Sequence, residues 1–578
     1  MGQVEDRLRA LCAEEGGAAR VAGALVRQGR CAGAAGAVSL DELAAVPFDE
    51  EWRRALAALE EEAEPALEQV RLARLYELAG DAGKAAGCLA RSLGAGAPSL
   101  ALRVRLAEAA APSCRPLALA LLDALATALF RRDDRPEDRA ALDPVQRDPA
   151  AMAALLEGAA AAAETARSPE RAAVLWRTAG ARHERRGARR AAFRCQRRAA
   201  LALRAAGQQA AALDLALRLR GQAQAFRGLG AEAEALGLVA ALLAEDRDPQ
   251  ALGRAIACER EAAKVLEGVD PGASLAHQAV AASLEARRDV RAALDALADA
   301  VALAEAHGLA GAAQDLHLLA CALWSRRGLL GKALAHAERA AQGPTGPARV
   351  RAVAALARAL ARAGAAAKAE RVLSGLALPF ADTALAWSLA GESLLARAER
   401  AAAADRRAAA RAFFLDAARA FRRAGEPARA ARARLDRAAL AAFWGEPAAG
   451  LADLDRAREG LAPEDERAAD LLTAALAVDP DERELLLDDV GERVLTEGGV
   501  PERLLYSLAL AELRAQTGDS EGAREALEEA VDDLVQVRSG LPVPLASGFR
   551  QSLWVRGLRR VAEANQMEEV LAPLEEEP

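Results

Sequence analysis

Between Trp324 and Ala340 the chain reads as the end of one helix, a tight turn at Gly328, and a second helix with alanines at 333, 337 and 340. Cys321 stands seven residues before the glycine and the bulky Trp324 four before it. The same offsets return along the chain. Around Gly518 they give Ala511, Ala523, Leu527 and Ala530, and around Gly80 they give Ala73, Tyr76, Ala85, Leu89 and Ser92. Gly425 brings Ala418, Phe421 and Ala430; Gly187 brings Trp176, Gly180, His183, Ala192 and Ala199; Arg288 brings Ala281, Leu284, Ala293, Leu297 and Ala300. Two helices joined by so short a turn must cross closely. Close crossing needs small side chains on both helices and one larger residue to fill the gap above them. Glycine takes the positive φ that ends the first helix. The chain therefore reads as recurring helix pairs.

Composition agrees. Apolar residues are 53% of the chain and aromatics 3%, so the apolar share is carried by alanine and leucine, both strong helix formers. No stretch alternates convincingly as a strand, and an all-α fold is expected. In a repeat array each unit packs on its neighbours, so a 578-residue chain need not break into several globular domains. The organisation expected is an irregular, partly helical segment at 1–68, first helical repeats at 69–130 and a charged, proline-containing linker at 131–150. A main helical array then fills 151–460, with turns near Gly187, Gly207, Arg288, Gly328, Gly364, Gly425 and Gly445. Further repeats with a cap and an acidic tail occupy 464–578.

The small, bulky and small residues at fixed offsets from a turn resemble the tetratricopeptide repeat (TPR). That resemblance implies a right-handed solenoid of antiparallel helix pairs. It also implies a scaffold for protein–protein interaction, whose concave face is built mainly from the first helix of each pair and receives a peptide. Several spacings here exceed the family's period of about 34 residues. The chaperone-binding members clamp peptides with Lys and Asn side chains, and this chain has no Asn before Asn565. The stretch Ser539–Trp554 is similar to the segment that closes helical-repeat sensor arms of bacterial signalling ATPases and kinases, which implies a terminal cap. The alternative reading is accordingly a regulatory sensor module of a bacterial signalling system that binds a peptide or small ligand.

Catalytic chemistry is not expected. Gly83-Lys84-Ala85 and Gly331-Lys332-Ala333 carry Ala where a P-loop needs Ser or Thr. Gly391-Glu392-Ser393 lacks the second glycine of a nucleophile elbow. The five histidines, 183, 277, 307, 317 and 336, are too dispersed for a metal signature, and the seven cysteines form no CxxC pair. No cofactor or metal is expected, and the histidines and cysteines read as packing residues. The N-terminus has acidic residues where a signal peptide needs basic and apolar ones. The apolar run 117–130 is short and carries Asp123, so no membrane span is expected and the chain reads as cytoplasmic.

With 76 basic and 84 acidic residues the net charge is −8, which argues against general nucleic-acid binding. Only Lys84, Lys264, Lys332 and Lys368 are lysines; the other basic residues are arginines, as in proteins of GC-rich bacterial genomes. Against that acidic background stands one basic belt over 177–204. It holds the candidate partner-binding residues Arg177, Arg182, Arg185, Arg186, Arg194 and Arg197, with Arg189, Arg190, Arg198 and Arg204 beside them and Glu184 as the lone acid. Arginine's planar fork bonds both oxygens of a carboxylate or phosphate. The belt is a candidate dock for an acidic protein or peptide. The competing reading is a solvated face enriched by codon usage and paired with the chain's own acids. A second basic zone, Arg406–Arg437, carries the same two readings.

Overall fold

The computed structural model describes residues 17–28, 30–33, 36–39, 50–62, 66–78, six isolated helical positions between 88 and 122, and 149–576 apart from 247, 377–382 and 463–464. Residues 131–148 of the linker expected over 131–150, the Gly80 turn with Ala85, Leu89 and Ser92, and most of the apolar run 117–130 lie outside the described residues; Pro149 and Ala150 already belong to a helix. The chain divides into two compact units, 1–245 and 246–578.

In the first unit the described N-terminal elements are α1 (Gly17–Gln28), β1 (Arg30–Gly33), β2 (Gly36–Ser39), α2 (Glu50–Glu62) and α3 (Ala66–Leu78). The strands pair antiparallel, Arg30 opposite Ser39 and Gly33 opposite Gly36. This ribbon departs from the expectation that no segment would be extended; each strand is only four residues long, too short for alternation to register. Five helices follow: α4 (Pro149–Thr165), α5 (Pro169–Arg185), α6 (Arg189–Ala205), α7 (Gln209–Ala225) and α8 (Leu229–Leu243). Each packs on the next, and α6 also touches α8.

The second unit continues as helix pairs from α9 (Pro249–Leu266) and α10 (Pro271–Glu285) through α11 (Val290–Ala306), α12 (Ala310–Arg326), α13 (Leu330–Ala341), α14 (Pro347–Arg362) and α15 (Ala366–Ser374). Then come α16 (Ala384–Ala403), α17 (Arg407–Arg423), α18 (Pro427–Trp444), α19 (Pro447–Arg458), α20 (Glu466–Leu476), α21 (Pro480–Glu497), α22 (Val500–Gln516) and α23 (Ser520–Ser539). A one-turn helix α24 (Val543–Ala546) and α25 (Leu553–Ala564) lead to the short α26 (Ala572–Glu575). Consecutive helices pack antiparallel, and next-but-one contacts join α10 to α12, α12 to α14, α14 to α16, α18 to α20 and α20 to α22. Only the inner side of a curved double layer is compressed enough to bring alternate helices together. The even-numbered helices are therefore the inner layer. This is an all-α, TPR-like array of antiparallel helix pairs.

The local frame is regular. Many helices are 17 residues long and are joined by three-residue turns. The central turn residue has positive φ at 167, 187, 207 and 227 in the first unit, and at 308 and 328, then 405, 425 and 445, in the second. Successive turns in each run are 20 residues apart, so a pair occupies 40. That exceeds the TPR period of about 34 and accounts for the long spacings in the sequence. Each turn closes with the bonds of a Schellman motif, as where Leu329 N–H reaches Trp324 O and Gly328 N–H reaches Ser325 O. Arg167, Arg227 and Asp405 hold φ of 53°, 53° and 54° at positions where glycine stands elsewhere. The small residues predicted for the crossings are buried: Ala333, Ala337, Ala340, Ala523, Leu527 and Ala530 are all fully covered.

The C-terminal block was expected to cap the end of the array. It packs on the middle of the second unit. Leu541, Phe549, Trp554, Val555, Leu558 and Val561 share one core with Leu330, Leu334, Leu360 and Leu373. A Cβ at Gly328 would lie 2.6 Å from Val500, and one at Gly364 would collide with Gly548. Arg556 donates to the carbonyls of Ala402 and Ala403, and Arg560 to Phe443 O. Those carbonyls end α16 and α18, so each arginine meets the negative end of a helix. The turns after α12, α14, α16 and α18 are thus covered, whereas a Cβ at Gly308, Gly346 or Gly425 on the opposite edge would meet nothing.

Candidate functional site

The arginine belt lies on α5, the Gly187 turn and α6. Arg177 and Arg185 are exposed on α5, two helical turns apart, and Arg182 between them is half-buried. Arg186, Arg189 and Arg190 bracket the turn and are exposed. On α6, Arg190, Arg194, Arg197 and Leu201 fall at helical spacing along one exposed stripe. Acids have claimed part of the belt. Arg197 pairs with Glu234 of α8 at 3.4 Å, Arg198 pairs with Glu164 of α4 at 3.4 Å and lies over the Trp176 ring, and Arg204 pairs with Glu245. Among the described residues, Arg177, Arg182, Arg185, Arg186, Arg189, Arg190 and Arg194 have no carboxylate partner. Glu184, the one acid inside the belt, accepts instead from Gln196 and Gln222.

The six predicted residues do not share one face. The contact of α6 with α8 puts α6 in the layer where alternate helices meet, and α5 in the other. Arg194 and Arg197 therefore lie on one layer, and Arg177, Arg182 and Arg185 on the other, with Arg186 at the edge between them. The sequence reading took α5 as the first helix of its pair. At a half-repeat of 20 residues, turns on the two edges carry the same spacing of small residues, so offsets from a turn do not tell which edge it is on.

Beneath the belt the structure assembles a cluster that the sequence did not announce. His183 of α5 holds its Nε2 2.5 Å from Glu157 Oε1 of α4, and Cys195 Sγ of α6 lies 3.6 Å from the same oxygen. One ligand atom of each residue lies within 4.8 Å of the others. Expected to be dispersed packing residues, His183 and Cys195 meet here because three successive helices cross. The signal available was positional: His183 takes the bulky place before the turn that Trp324, Tyr76 and Phe421 take elsewhere.

The second unit holds a partly open pocket of about 640 Å³. Arg288, Arg326, Arg327, Arg362, Arg432 and Arg467 line it, with Glu399, Asp436, Glu497 and Glu502, and Leu553 and Trp554 form part of its wall. The deeper arginines are neutralised. Glu399 accepts from Arg358 at 2.8 Å and from both Nε and Nη2 of Arg362 at 2.9 and 2.8 Å. Arg432 bonds Asp436 at 3.0 Å and Asp465 at 2.5 Å. Burial alone would raise the Asp436 carboxyl, but Arg432, Arg358 and Arg362 hold it below its ordinary range. Arg326 and Arg327 are exposed at the end of α12 and have no carboxylate partner among the described residues. No described helix is long and apolar enough to cross a membrane.

No family model and no curated protein matches the chain. Among solved structures it is similar to a monomeric mutant of IFIT1 bound to Gppp-AAAA, at 15% identity and a TM-score of 0.38, over 71% of this chain and 90% of that one. A human IFIT1 dimer with m7Gppp-AAAA gives 16% identity and a TM-score of 0.37 over 71% and 90%. The APC/C hetero-tetramer Cut9–Hcn1 gives 14% identity and a TM-score of 0.27 over 84% and 98%. The fold assignment rests on the helix packing described above.

Proposed function

We propose that the chain is a non-catalytic helical-repeat scaffold that holds an acidic segment of another protein on the arginine belt. The observation that carries this reading is the row of seven arginines, Arg177 to Arg194, left without carboxylates among the described residues in a chain of 84 acids. Bidentate capture of Glu and Asp side chains by Arg182, Arg185, Arg186, Arg189 and Arg190 around the Gly187 turn, extended by Arg177 on α5 and Arg194 and Arg197 on α6, suits an extended acidic peptide crossing the edge between the layers.

The test compares wild type with Arg177, Arg182, Arg185 and Arg186 all reversed to Glu. Binding of a labelled oligoglutamate peptide is measured beside a single-stranded oligouridylate of equal charge, at several salt concentrations. Peptide binding that the reversed protein loses, with an unchanged melting temperature, is expected. A wild type that prefers the RNA, with steep salt dependence, would overturn the protein-partner reading in favour of a nucleic-acid one. Capture from nuclease-treated lysate with the same pair of proteins would then identify the partner.

A second reading, a sensor module for a small ligand, is favoured by one observation: the partly open pocket of about 640 Å³ in the second unit, with Arg326 and Arg327 in its lining. A rise in melting temperature with citrate or pyrophosphate, abolished by Arg326→Glu with Arg327→Glu, would favour it over the scaffold.

A further inference from the structure

We propose that Glu157, His183 and Cys195 form a binding site for a divalent transition-metal ion of the zinc type, bridging α4, α5 and α6. The donor set is a carboxylate oxygen, an imidazole nitrogen and a thiol sulfur, the three ligand types that Zn²⁺ takes from proteins. They come from three helices and lie within 4.8 Å of one another; donors about 2.0–2.3 Å from one tetrahedral ion stand about 3.3–3.8 Å apart, so small side-chain shifts would seat an ion among them.

Three further observations point to a ligand. His183 breaks the repeat's own rule by placing an imidazole where other pairs place Trp324 or Phe421 as gap-fillers. Its Nδ1 is buried with no hydrogen-bond partner among the described residues, so the contact of Nε2 with Glu157 is what orients the ring. The helices that carry two of the donors also cross closely: a Cβ at Gly180, one turn before His183, would meet Gln196 at 2.9 Å and Cys195 at 3.5 Å, so α5 and α6 are at van der Waals contact here. The side chains grade from Cys195, buried, through His183 at 12% to Glu157 at 38% exposure, which gives an ion a path in along the carboxylate.

The electrostatics balance despite the surrounding arginines. Arg198 is already engaged by Glu164. In the metal-free state Cys195 is a buried thiol that donates to Glu157 Oε1 at 3.6 Å. Binding forms a metal–sulfur bond and releases that thiol proton to solvent. The proton shared between His183 and Glu157 shifts to the imidazole nitrogen that does not coordinate. Thiolate and carboxylate together then neutralise the dication, and a fourth position stays open for water or a partner side chain. The ion would tie together the helices that carry the arginine belt, but the site stands whether or not the belt binds a peptide.

Co²⁺ is the probe, added to full-length protein freed of metal with a chelator. A near-ultraviolet thiolate-to-cobalt band at one equivalent is expected, displaced by Zn²⁺, with one proton released per ion. Cys195→Ser should abolish the band and Cys321→Ser should leave it. Glu157→Gln, which keeps the side chain's size at a partly exposed position, should weaken Co²⁺ binding by about tenfold or more. Zn²⁺ should raise the melting temperature of wild type and not of Cys195→Ser. A folded wild type with no band at saturating Co²⁺, or a band that survives Cys195→Ser, would overturn the site.

Discussion

The two arginine-rich stretches, 177–204 and 406–437, look alike in the sequence and differ in the fold. In the second, Arg407 and Arg411 reach Glu446, Arg429 reaches Glu392 and Glu426, Arg432 reaches Asp436 and Asp465, and Arg437 bonds Asp453 at 2.5 Å. Arg423 stacks over Trp387. In the first, only Arg197, Arg198 and Arg204 find acids among the described residues. Apart from Glu426 and Asp436, which lie three and four residues from Arg429 and Arg432, the partners named come from neighbouring helices 16 to 39 residues away, delivered by the crossing of α16 to α20. Arginine density therefore says little until the acids that packing brings beside it are known. Most arginines of the second stretch are held within the fold, whereas seven of the first have no carboxylate partner among the described residues.

Breaking the paired region should have the largest effect. Glu399→Ala removes the shared partner of Arg358 and Arg362 beside the cavity, where all three side chains are mostly covered. Two stranded cations should cost about 3–5 kcal/mol, read as a fall in the denaturant midpoint. A loss no greater than that of a surface substitution would mean the network is solvated. Next comes the frame common to both regions. Ala333→Leu fills a crossing with no free space and should cost about 1–3 kcal/mol; an unchanged melting temperature would show that the register is wrong.

The His317–His336 contact offers a pH-dependent test at the intermediate scale. Their Nδ1 atoms lie 2.9 Å apart, and burial, then His317 and nearby cations, lower His336 to about 4. A base whose folded value is depressed stabilises the fold above its unfolded value near 6.5, and that stability is lost as pH falls from there towards 4. His336→Gln should flatten the melting temperature over this window, and an unchanged slope would remove the pair from the account. Smaller again is Arg227→Gly, which relieves an arginine held at φ 53° and should stabilise by up to about 1 kcal/mol. At the bottom of the scale, Arg185→Glu in the unpaired belt should move stability by no more than about 0.5 kcal/mol. A large loss there would mean that the belt has structural partners after all.

Much of the fold was legible because its cause is local. The positive-φ turns at Gly187, Gly207, Gly328, Gly364, Gly425, Gly445 and Gly518 could be read one at a time, since glycine is the residue that ends a helix in that conformation without strain. The turns at Arg167, Arg227 and Asp405 escaped because other contacts hold a side-chain-bearing residue in glycine's place. The four-residue strands at 30–39 escaped because nothing so short carries a period. Of the candidate site, the belt was visible as a run of one residue type. Its division between two layers was not, since a 20-residue half-repeat makes both edges of the array look the same.

By itself the sequence determined the helices, their turns and their small-residue crossings, because each depends on residues within about 20 positions of one another. Tertiary structure alone decided which arginines are spent on Glu399, Asp436 and Glu446, and that Arg556 and Arg560 bring the C-terminal block back to helix ends more than 100 residues earlier. It also decided that Glu157, His183 and Cys195 share one point in space. Local dihedral preference and side-chain volume are written residue by residue, whereas the meeting of distant charges depends on how the helices curve together, which no single stretch encodes.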